Sequence, residues 1–211
     1  MKCAYSITDS NFTSNSASSS GGAIKYNLYR PTMTGLVFAN NSAQYGADIA
    51  SYAIKVVRHN SSNDQVVLSD VGSGIKYDEV LVLQAVDHDG NVMVLDDTSQ
   101  ISITPTTSQQ TVLGSGVKKL TNGQATFDNL VFVSHPGDEH IQFRLSSKAI
   151  DSTKIQLQYG VTSLQDSIDV SFRWCQPGEM HVSNTCIECP SGSYSVKWNS
   201  TVCENCMDNA A

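Results

Sequence analysis

Charged residues are scarce in this chain of 211 residues. They make up 16% of the sequence, and Lys and Arg together number only 13. Because these basic residues are dispersed and the formal net charge is −7, the chain lacks the Lys/Arg clusters that bind nucleic-acid phosphates. With 40% hydrophobic residues, the composition also excludes a charged disordered tail and a coiled coil. We therefore expect a folded domain or domains with no nucleic-acid partner.

Long hydrophobic runs are missing as well. No uninterrupted apolar segment approaches the roughly 20 residues that cross a bilayer, so we expect no membrane span in this stretch. The first residues, Met1 to Ser6, are not followed by the apolar core and cleavage site of a signal peptide. If the chain is secreted, we expect it to be an internal piece of a longer precursor.

Cysteine is absent from the whole middle of the chain. After Cys3, the remaining five lie close together near the C-terminus: Cys175, Cys186, Cys189, Cys203 and Cys206. Such a cluster predicts a disulfide framework or a zinc site. The paired Cys-x-x-Cys steps at Cys186 and Cys203 also have the spacing of a four-thiolate zinc ribbon, which stays the alternative. We favour disulfides, because a zinc site with four thiolate ligands would leave Cys175 without a role.

Acceptor sequences for N-linked glycans support an oxidising compartment. Asn-x-Ser/Thr motifs begin at Asn11, Asn40, Asn60 and Asn199, and a weaker Asn-Thr-Cys motif begins at Asn184. Together with the cysteine cluster, they predict an extracellular or cell-surface location and N-linked glycans as partners.

An internal repeat occupies the N-terminal part. The residues from Phe12 to Ala17, FTSNSA, match those from Phe38 to Ala43, FANNSA, and a glycine step follows each copy. A period in the twenties with short β runs predicts a stacked β solenoid. Phe12 would then stack on Phe38. Asn15 and Asn41 would lie at equivalent corners, where asparagine tolerates left-handed dihedral angles and bonds the neighbouring repeat.

The repeat resembles the Phe-x-x-Asn and Gly-Gly-Ala-Ile motifs of the chlamydial polymorphic outer-membrane proteins. Similar repeats occur in large extracellular proteins of ciliates and other protists. Gly21 and Gly22 keep the Gly-Gly step, whereas the second copy has Gly46-Ala47-Asp48-Ile49 in its place. This resemblance implies the end of a right-handed parallel β-helix, of the pectin-lyase-like kind, over residues 1–62.

Short alternating apolar runs dominate residues 63–173, behind a polar linker from Asn60 to Asn63. One apolar face and one polar face on each strand predict an antiparallel two-sheet sandwich. Many short strands separated by Gly, Asn and Asp turns are typical of an immunoglobulin-like domain. The order of strands and turns resembles filamin-like and bacterial-type Ig domains, which also lack a cysteine pair. The predicted strands include Val80–Val86, Val92–Leu95, Ile101–Ile103, Ala125–Phe127, Leu130–Phe132, Ile141–Leu145, Ile155–Tyr159 and Ile168–Phe172.

The tail, residues 174–211, resembles the ephrin-receptor-like cysteine-rich repeat. It shares the Cys-Pro-x-Gly-x-Tyr-Ser element, which begins at Cys189, and the paired Cys-x-x-Cys steps. The resemblance implies disulfides between Cys175 and Cys186 and between Cys189 and Cys203. It also implies a partner for Cys206 beyond the last residue of this chain.

Candidate metal motifs are weak. Asp87, Asp89 and Gly90 lack the remaining ligands of an EF-hand loop, so we expect a solvated hairpin turn. A weak surface calcium site that includes Asp96 and Asp97 is the alternative. The segment from His135 to His140 contains Pro-Gly, which prevents the helix of a zinc protease, so we expect a turn there too.

Catalytic motifs are weak too. The repeats carry only Asp9 and Asp48 as carboxylates, which do not form the acid/base pair of a polysaccharide hydrolase. We predict no enzyme, no metal and no cofactor.

These features predict a mainly β, non-catalytic extracellular structural or adhesive protein, including a subunit of a surface fibre or filament. A solenoid needs about three repeats to be stable, and this chain has two. We therefore expect a neighbouring copy or another surface protein to cover the unpaired strand edge of the first repeat. The alternative is a ligand- or glycan-recognition ectodomain of a membrane-anchored surface protein. An inactive lyase-like carbohydrate binder is a third hypothesis. Candidate exposed aromatics for sugar contact are Tyr26, Tyr29, Tyr52 and Trp198.

Overall fold

Parallel strand pairs build the N-terminal part. The computed structural model describes residues 5–61 and 63–207, and within these ranges the chain is mainly β with one short helix. The pairs are β1 (Ser6–Thr8) with β4 (Thr32–Thr34), β2 (Asn11–Thr13) with β5 (Val37–Ala39), and β3 (Ile24–Lys25) with β6 (Ile49–Ala50). The register places Phe12 opposite Phe38, so the two copies of the sequence repeat lie side by side.

Equivalent corners of the two repeats have a left-handed backbone. The φ angle is 58° at Ser14 and 55° at Asn40. The prediction that Asn15 and Asn41 adopt these angles is therefore wrong by one residue. The left-handed residue comes first at each corner, and the asparagine that follows is free to bridge the repeats with its side chain.

A second corner in each repeat explains the glycine that follows each copy of the Phe-x-x-Asn motif. Gly21 and Gly46 have φ angles of 65° and 59°. A Cβ atom at Gly21 would lie 2.4 Å from the main-chain oxygen of Ile24, and one at Gly46 would lie 2.3 Å from that of Ile49. Both positions therefore require glycine, because any side chain would collide with the backbone.

A parallel β-helix is not shown over residues 1–62. The N-terminal pairs form three separate two-stranded sheets, and most strand pairs of the described chain are antiparallel. The parallel pairing between copies of the repeat is nevertheless as expected from a stacked arrangement. Cys3 lies outside the described residues.

Two larger sheets form the middle part. A five-stranded sheet has the order β12-β10-β15-β16-β8, a three-stranded sheet has the order β13-β9-β7, and β11 pairs with β14. In this part the strands are β7 (Lys55–Arg58), β8 (Val66–Val71), β9 (Leu81–Val86), β10 (Gln100–Thr104), β11 (Thr111–Leu113), β12 (Val117–Lys119), β13 (Gln124–Phe127), β14 (Val131–Val133), β15 (Ile141–Ser147) and β16 (Ser167–Phe172). Although β7 precedes the predicted boundary at residue 62, it pairs with β9 of the middle part.

One continuous hydrophobic core lies under both sheets. Leu83 and Phe127 contribute from the three-stranded sheet, and Ile103, Phe143 and Leu145 contribute from the five-stranded sheet. Along β10 and β15 these buried residues alternate with more exposed ones, as the period of two predicted. The pairing of β16 with β8 is parallel, so the larger sheet is mixed.

The predicted strand from Ile155 to Tyr159 is wrong, because this segment lies in a helix, α1 (Ser152–Tyr159). Asp151 caps its N-terminus by accepting hydrogen bonds from the backbone amides of Thr153 and Lys154. Gly160, with φ of 78°, ends it in the left-handed conformation. The two capping residues favour a helix, although the apolar residues of the segment alternate as they would in a strand.

The predicted strand from Val92 to Leu95 is also wrong. After the turn at Asp87–Asn91, the structure describes one isolated antiparallel β-bridge, between Val86 and Val92, in place of a strand. The chain then turns again, because the amide of Val94 bonds the carbonyl of Val92 two residues earlier.

Disulfides hold the C-terminal part, which has two small antiparallel hairpins. The strands are β17 (Glu179–Val182) with β18 (Thr185–Glu188), and β19 (Ser193–Tyr194) with β20 (Glu204–Asn205). Bridges join Cys175 to Cys186 and Cys189 to Cys203, the pairing that the resemblance implies, while Cys206 is free and exposed. The zinc alternative is wrong, because three of its four sulphur ligands are in disulfides. Within the described ranges, no helix has the length and apolar character needed to cross a membrane.

Candidate functional site

Predicted repeat residues bind the two repeats to each other. The Oδ1 atom of Asn41 accepts hydrogen bonds from the backbone amide of Asn15 at 2.9 Å and from its side-chain amide at 3.0 Å. Asn41 Nδ2 in turn donates to the main-chain oxygen of Phe12 at 2.9 Å. The rings of Phe12 and Phe38 stack with centroids 5.4 Å apart. A further repeat of the same sequence could make the same asparagine hydrogen bonds and the same phenylalanine stacking.

Three of the predicted glycan acceptors lie on the surface. Asn11, Asn40 and Asn60 are exposed, whereas Asn199 is half-buried and its side-chain oxygen has no hydrogen-bond partner in the described structure. Glycosylation of these residues stays a prediction.

Asp89 connects the N-terminal repeats to the middle part. Its Oδ2 accepts a hydrogen bond from the Tyr26 hydroxyl at 2.9 Å, and its Oδ1 accepts two from Arg30, the shorter at 2.6 Å. Burial raises the pKa of Tyr26, and the bond to Asp89 acts in the same direction. The bond to Asp89 also raises the pKa of Arg30. The Arg30 guanidinium therefore stays charged over the physiological pH range.

Asp87 makes a second, buried connection beside it. This residue is fully buried, and its carboxylate accepts hydrogen bonds from the backbone amides of Ser51, Asp89 and Asn91, each at 2.9 Å. The side chain of Asn91 donates to the carbonyl of Ile49 in β6. We call Tyr26, Arg30, Ser51, Asp87, Asp89 and Asn91 the first joint. The amides around Asp87 and the Arg30 guanidinium on Asp89 disfavour the calcium alternative, because donors already occupy these oxygens.

Helix α1 contacts the repeats on the same side. Lys154 Nζ donates to Asn27 Oδ1 at 2.7 Å and lies 4.9 Å from the centre of the Tyr52 ring. The hydroxyl of Tyr52 bonds Gln158 of the helix. The helix thus adds a cation–π contact and two hydrogen bonds to the connection between the repeats and the middle part.

Aromatic residues proposed for sugar contact do not all lie on the surface. Tyr26 was predicted to be exposed, but it is only 5% exposed and belongs to the first joint. Tyr29 and Tyr52 are half-buried, whereas Trp198 is 61% exposed.

The second joint connects the middle part to the cysteine-rich part. Arg173, which follows β16, forms two hydrogen bonds of 2.8 Å with the carboxylate of Glu179 in β17. The guanidinium holds the pKa of Glu179 below its usual range. Nearby, the amide of Cys186 donates to the carbonyl of the buried Ser73 at 2.8 Å. We call Ser73, Arg173, Glu179 and the disulfide between Cys175 and Cys186 the second joint.

A metal at the second joint is disfavoured, although Cys175, Glu179 and Cys186 lie close enough together to hold one. Both sulphurs are consumed in the disulfide, and the carboxylate is bound to Arg173. The group serves as a cross-link.

A cleft of about 560 Å³ lies beside α1 and was not predicted. We call it the α1 cleft; the residues that line it include Lys55, Asp64, His88, Tyr159 and Gln165. The Tyr159 hydroxyl and both polar atoms of the Gln165 side chain are buried, with no hydrogen-bond partner in the described structure. The rings of His88 and Tyr159 are nearly parallel, with centroids 6.4 Å apart. No local motif could have revealed this site, because its residues come from three distant segments.

The chain's function has to be inferred from the repeats, the joints and the cleft. Comparison with protein-family models, with curated proteins and with solved structures finds no match to this chain.

Proposed function

We propose that this chain is a non-catalytic extracellular structural or adhesive segment, which joins neighbouring copies of itself or other surface proteins end to end. In this proposal, residues 1–62 form the end of a right-handed parallel β-helix and residues 63–173 form an Ig-like or filamin-like sandwich. Residues 174–211 form an ephrin-receptor-like module. The two disulfides and the exposed sequon asparagines support an extracellular location.

The observation that carries the proposal is the first joint. A flexible linker between domains has few contacts, whereas here charged and buried polar groups cross the boundary. Asp87 is fully buried and depends on the Ser51 amide of the preceding part, so separating the two parts would leave a buried carboxylate short of donors. These contacts hold the repeats to the middle part, as a stiff spacer requires.

The open edge of β2 supports end-to-end assembly. Within the described residues β2 pairs with β5 on one side only. The amide of Ser14 bonds Ala39, and the carbonyl of Ser10 accepts from Val37, so even-numbered residues bond the partner strand. The amide of Thr13 consequently points to the open edge, where it is available to another strand.

Association of the full chain tests the proposal. We expect concentration-dependent assembly in sedimentation velocity and elongated particles in electron micrographs. Thr13→Pro removes the amide at the open edge and should leave monomers, while Thr13→Val keeps the amide and should assemble normally. A wild-type chain that stays monomeric at every concentration, alone and with candidate surface partners, would contradict the proposal.

A further inference from the structure

We infer that His135 and His181 form a binding site for a divalent transition-metal ion such as Zn²⁺ or Cu²⁺. The site goes beyond the proposed structural role, because it does not depend on the open edge of β2. It uses none of the residues of the second joint, although its two histidines belong to the same two parts of the chain. The inference rests on the placement of the rings, on their free nitrogens and on the carboxylate of Asp138.

The first observation is the distance between the two imidazole rings. The ring centroids of His135 and His181 lie 5.2 Å apart, and the ring planes are inclined by 90°. A tetrahedral Zn²⁺ ion holds each imidazole nitrogen at about 2.0–2.1 Å, so the ring centres of two histidine ligands lie about 5 Å apart. The two histidines are therefore already at the separation that one shared metal ion requires.

The second observation is that the ring nitrogens are accessible to solvent. Neither ring nitrogen of His181 forms a hydrogen bond within the described residues, and neither is buried. The side chain of His135 is 49% exposed. A metal ion from solution can therefore reach both imidazoles, and imidazole nitrogen is a favoured ligand of Zn²⁺ and Cu²⁺.

Asp138 supplies the carboxylate that commonly accompanies a metal-binding histidine. Its Oδ1 atom lies 3.7 Å from His135 Nδ1, which leaves the Nε2 atom of His135 for the metal. In many metal sites a carboxylate beside the second ring nitrogen fixes the orientation of the ring and strengthens the ligand. Asp138 therefore acts as a positioning residue, and water would complete the coordination of an ion held by two histidines.

Both histidines are carried by backbone that the surrounding structure holds in place. The amide of Asp138 donates to the carbonyl of His135 at 3.2 Å, and the carbonyl of Asp138 accepts from the amide of Phe172 in β16 at 2.7 Å. In β17, the amide of His181 donates to the carbonyl of Ser200 at 2.6 Å. Because the backbone positions of the two ligands are fixed before binding, the pair is pre-organised for a metal.

A bound ion would connect the middle part to the cysteine-rich part. His135 lies in the loop between β14 and β15, whereas His181 lies in β17. Since the two ligands come together only in the folded chain, binding of the ion stabilises the fold. The sequence predicted no metal at His135, because the histidine that completes the pair lies in a distant hairpin.

Titration of the full chain, without a histidine tag, tests the inference with Zn²⁺ as the probe. The Cε1 proton resonances of the histidines are followed by NMR, and the melting temperature is measured with and without the ion. We expect the resonances of His135 and His181 to shift together and the melting temperature to rise. In calorimetric titrations Cu²⁺ should bind more tightly than Zn²⁺, and Mg²⁺ should not compete, because imidazole favours transition metals in that order.

Variants identify the ligands of the ion. His181→Gln and His135→Gln should each weaken Zn²⁺ binding by about tenfold or more and abolish the rise in melting temperature, because one of two protein ligands is lost. His59→Gln makes the same change at an exposed histidine elsewhere and should bind like the wild type. Asp138→Asn should weaken binding by a few-fold, whereas Asp138→Glu, which keeps the carboxylate, should bind nearly as the wild type does.

Far-UV circular dichroism shows whether each variant is folded. If His181→Gln is not, His135→Gln, whose side chain is half exposed, decides the outcome. The inference is overturned if Zn²⁺ shifts neither histidine resonance or only one of the two. It is also overturned if the folded His181→Gln chain binds Zn²⁺ as tightly as the wild type, because the two rings would then pack together without sharing an ion.

Discussion

At the scale of single residues, the ion pair of Arg173 and Glu179 is the strongest electrostatic contact of the second joint. Both side chains are largely buried, with 13% and 12% of their surfaces exposed, and the two hydrogen bonds run in parallel. Such fork-like pairs combine charge with defined geometry. The guanidinium lowers the pKa of Glu179 relative to the unfolded chain, where the pKa of a glutamate is about 4.3. The stabilisation is therefore present above that pH and is lost as the pH falls through the folded-state pKa.

The first prediction concerns Glu179→Gln. At pH 7 we expect the free energy of unfolding in urea to fall by about 2 kcal/mol, because a charged hydrogen-bond pair is lost. The difference from the wild type should narrow as the pH falls through the folded-state pKa of Glu179, because the wild-type carboxyl is then protonated as well. Glu139→Gln, at an exposed residue outside the second joint, is the matched control and should change little. A difference in the free energy of unfolding that stays constant throughout an acid titration would contradict the assignment.

At the scale of elements, the caps of α1 decide between helix and strand for one segment. Asp151 satisfies two backbone amides of the first turn, which have no partner within the helix. Asp151→Ala should lower the free energy of unfolding by about 1 kcal/mol. It should also speed hydrogen exchange at the amides of Thr153 and Lys154. Thr153→Ala, at an exposed helix residue, keeps the cap and should leave both quantities near their wild-type values. Unchanged exchange in Asp151→Ala would show that the cap does not hold the helix.

Sequence patterns predicted those elements whose signals are local or repeated. The match between Phe12 and Phe38 predicted the parallel register, because equivalent residues of stacked repeats must lie side by side. The alternation of Ile101 and Ile103 predicted a strand with one buried face. The predicted strand from Ile155 to Tyr159 was wrong, because two turns of helix are too short to distinguish an apolar period of 3.6 residues from a period of two. The useful signals there were Asp151 and Gly160, the two capping residues.

The joints and the cleft could not be predicted in the same way. Asp87 and Asp89 were interpreted as a solvated turn because the sequence does not show which segment packs over that turn. Arg30 reaches Asp89 across 59 residues of chain, and Gln165 lies far in sequence from His88. Such sites arise from tertiary packing alone, so only the structure could reveal that these residues come together.

At the scale of the whole molecule, both joints lie between parts that the sequence predicted as separate domains. Buried polar contacts of this kind couple the stability of one part to that of the next, because breaking them exposes unpaired groups on both sides. Each part is also small. The cysteine-rich part has few buried residues of its own, chiefly the half-cystines Cys175 and Cys186. We therefore expect the parts to unfold together rather than one after another.

Calorimetry of the full chain and of Asp89→Ala tests this coupling. The wild type should show a single thermal transition. Asp89→Ala removes the acceptor of both Tyr26 and Arg30, so the repeats should melt first, as a separate transition. This first transition should lie below the wild-type Tm, because the repeats lose about 2 kcal/mol of stabilisation with these contacts. Asp128→Ala removes an exposed ion pair with Lys118 and serves as the control, with a single transition retained. If Asp89→Ala also melts in one transition at the wild-type Tm, the first joint does not couple the repeats to the middle part, and the stiff spacer loses its structural basis.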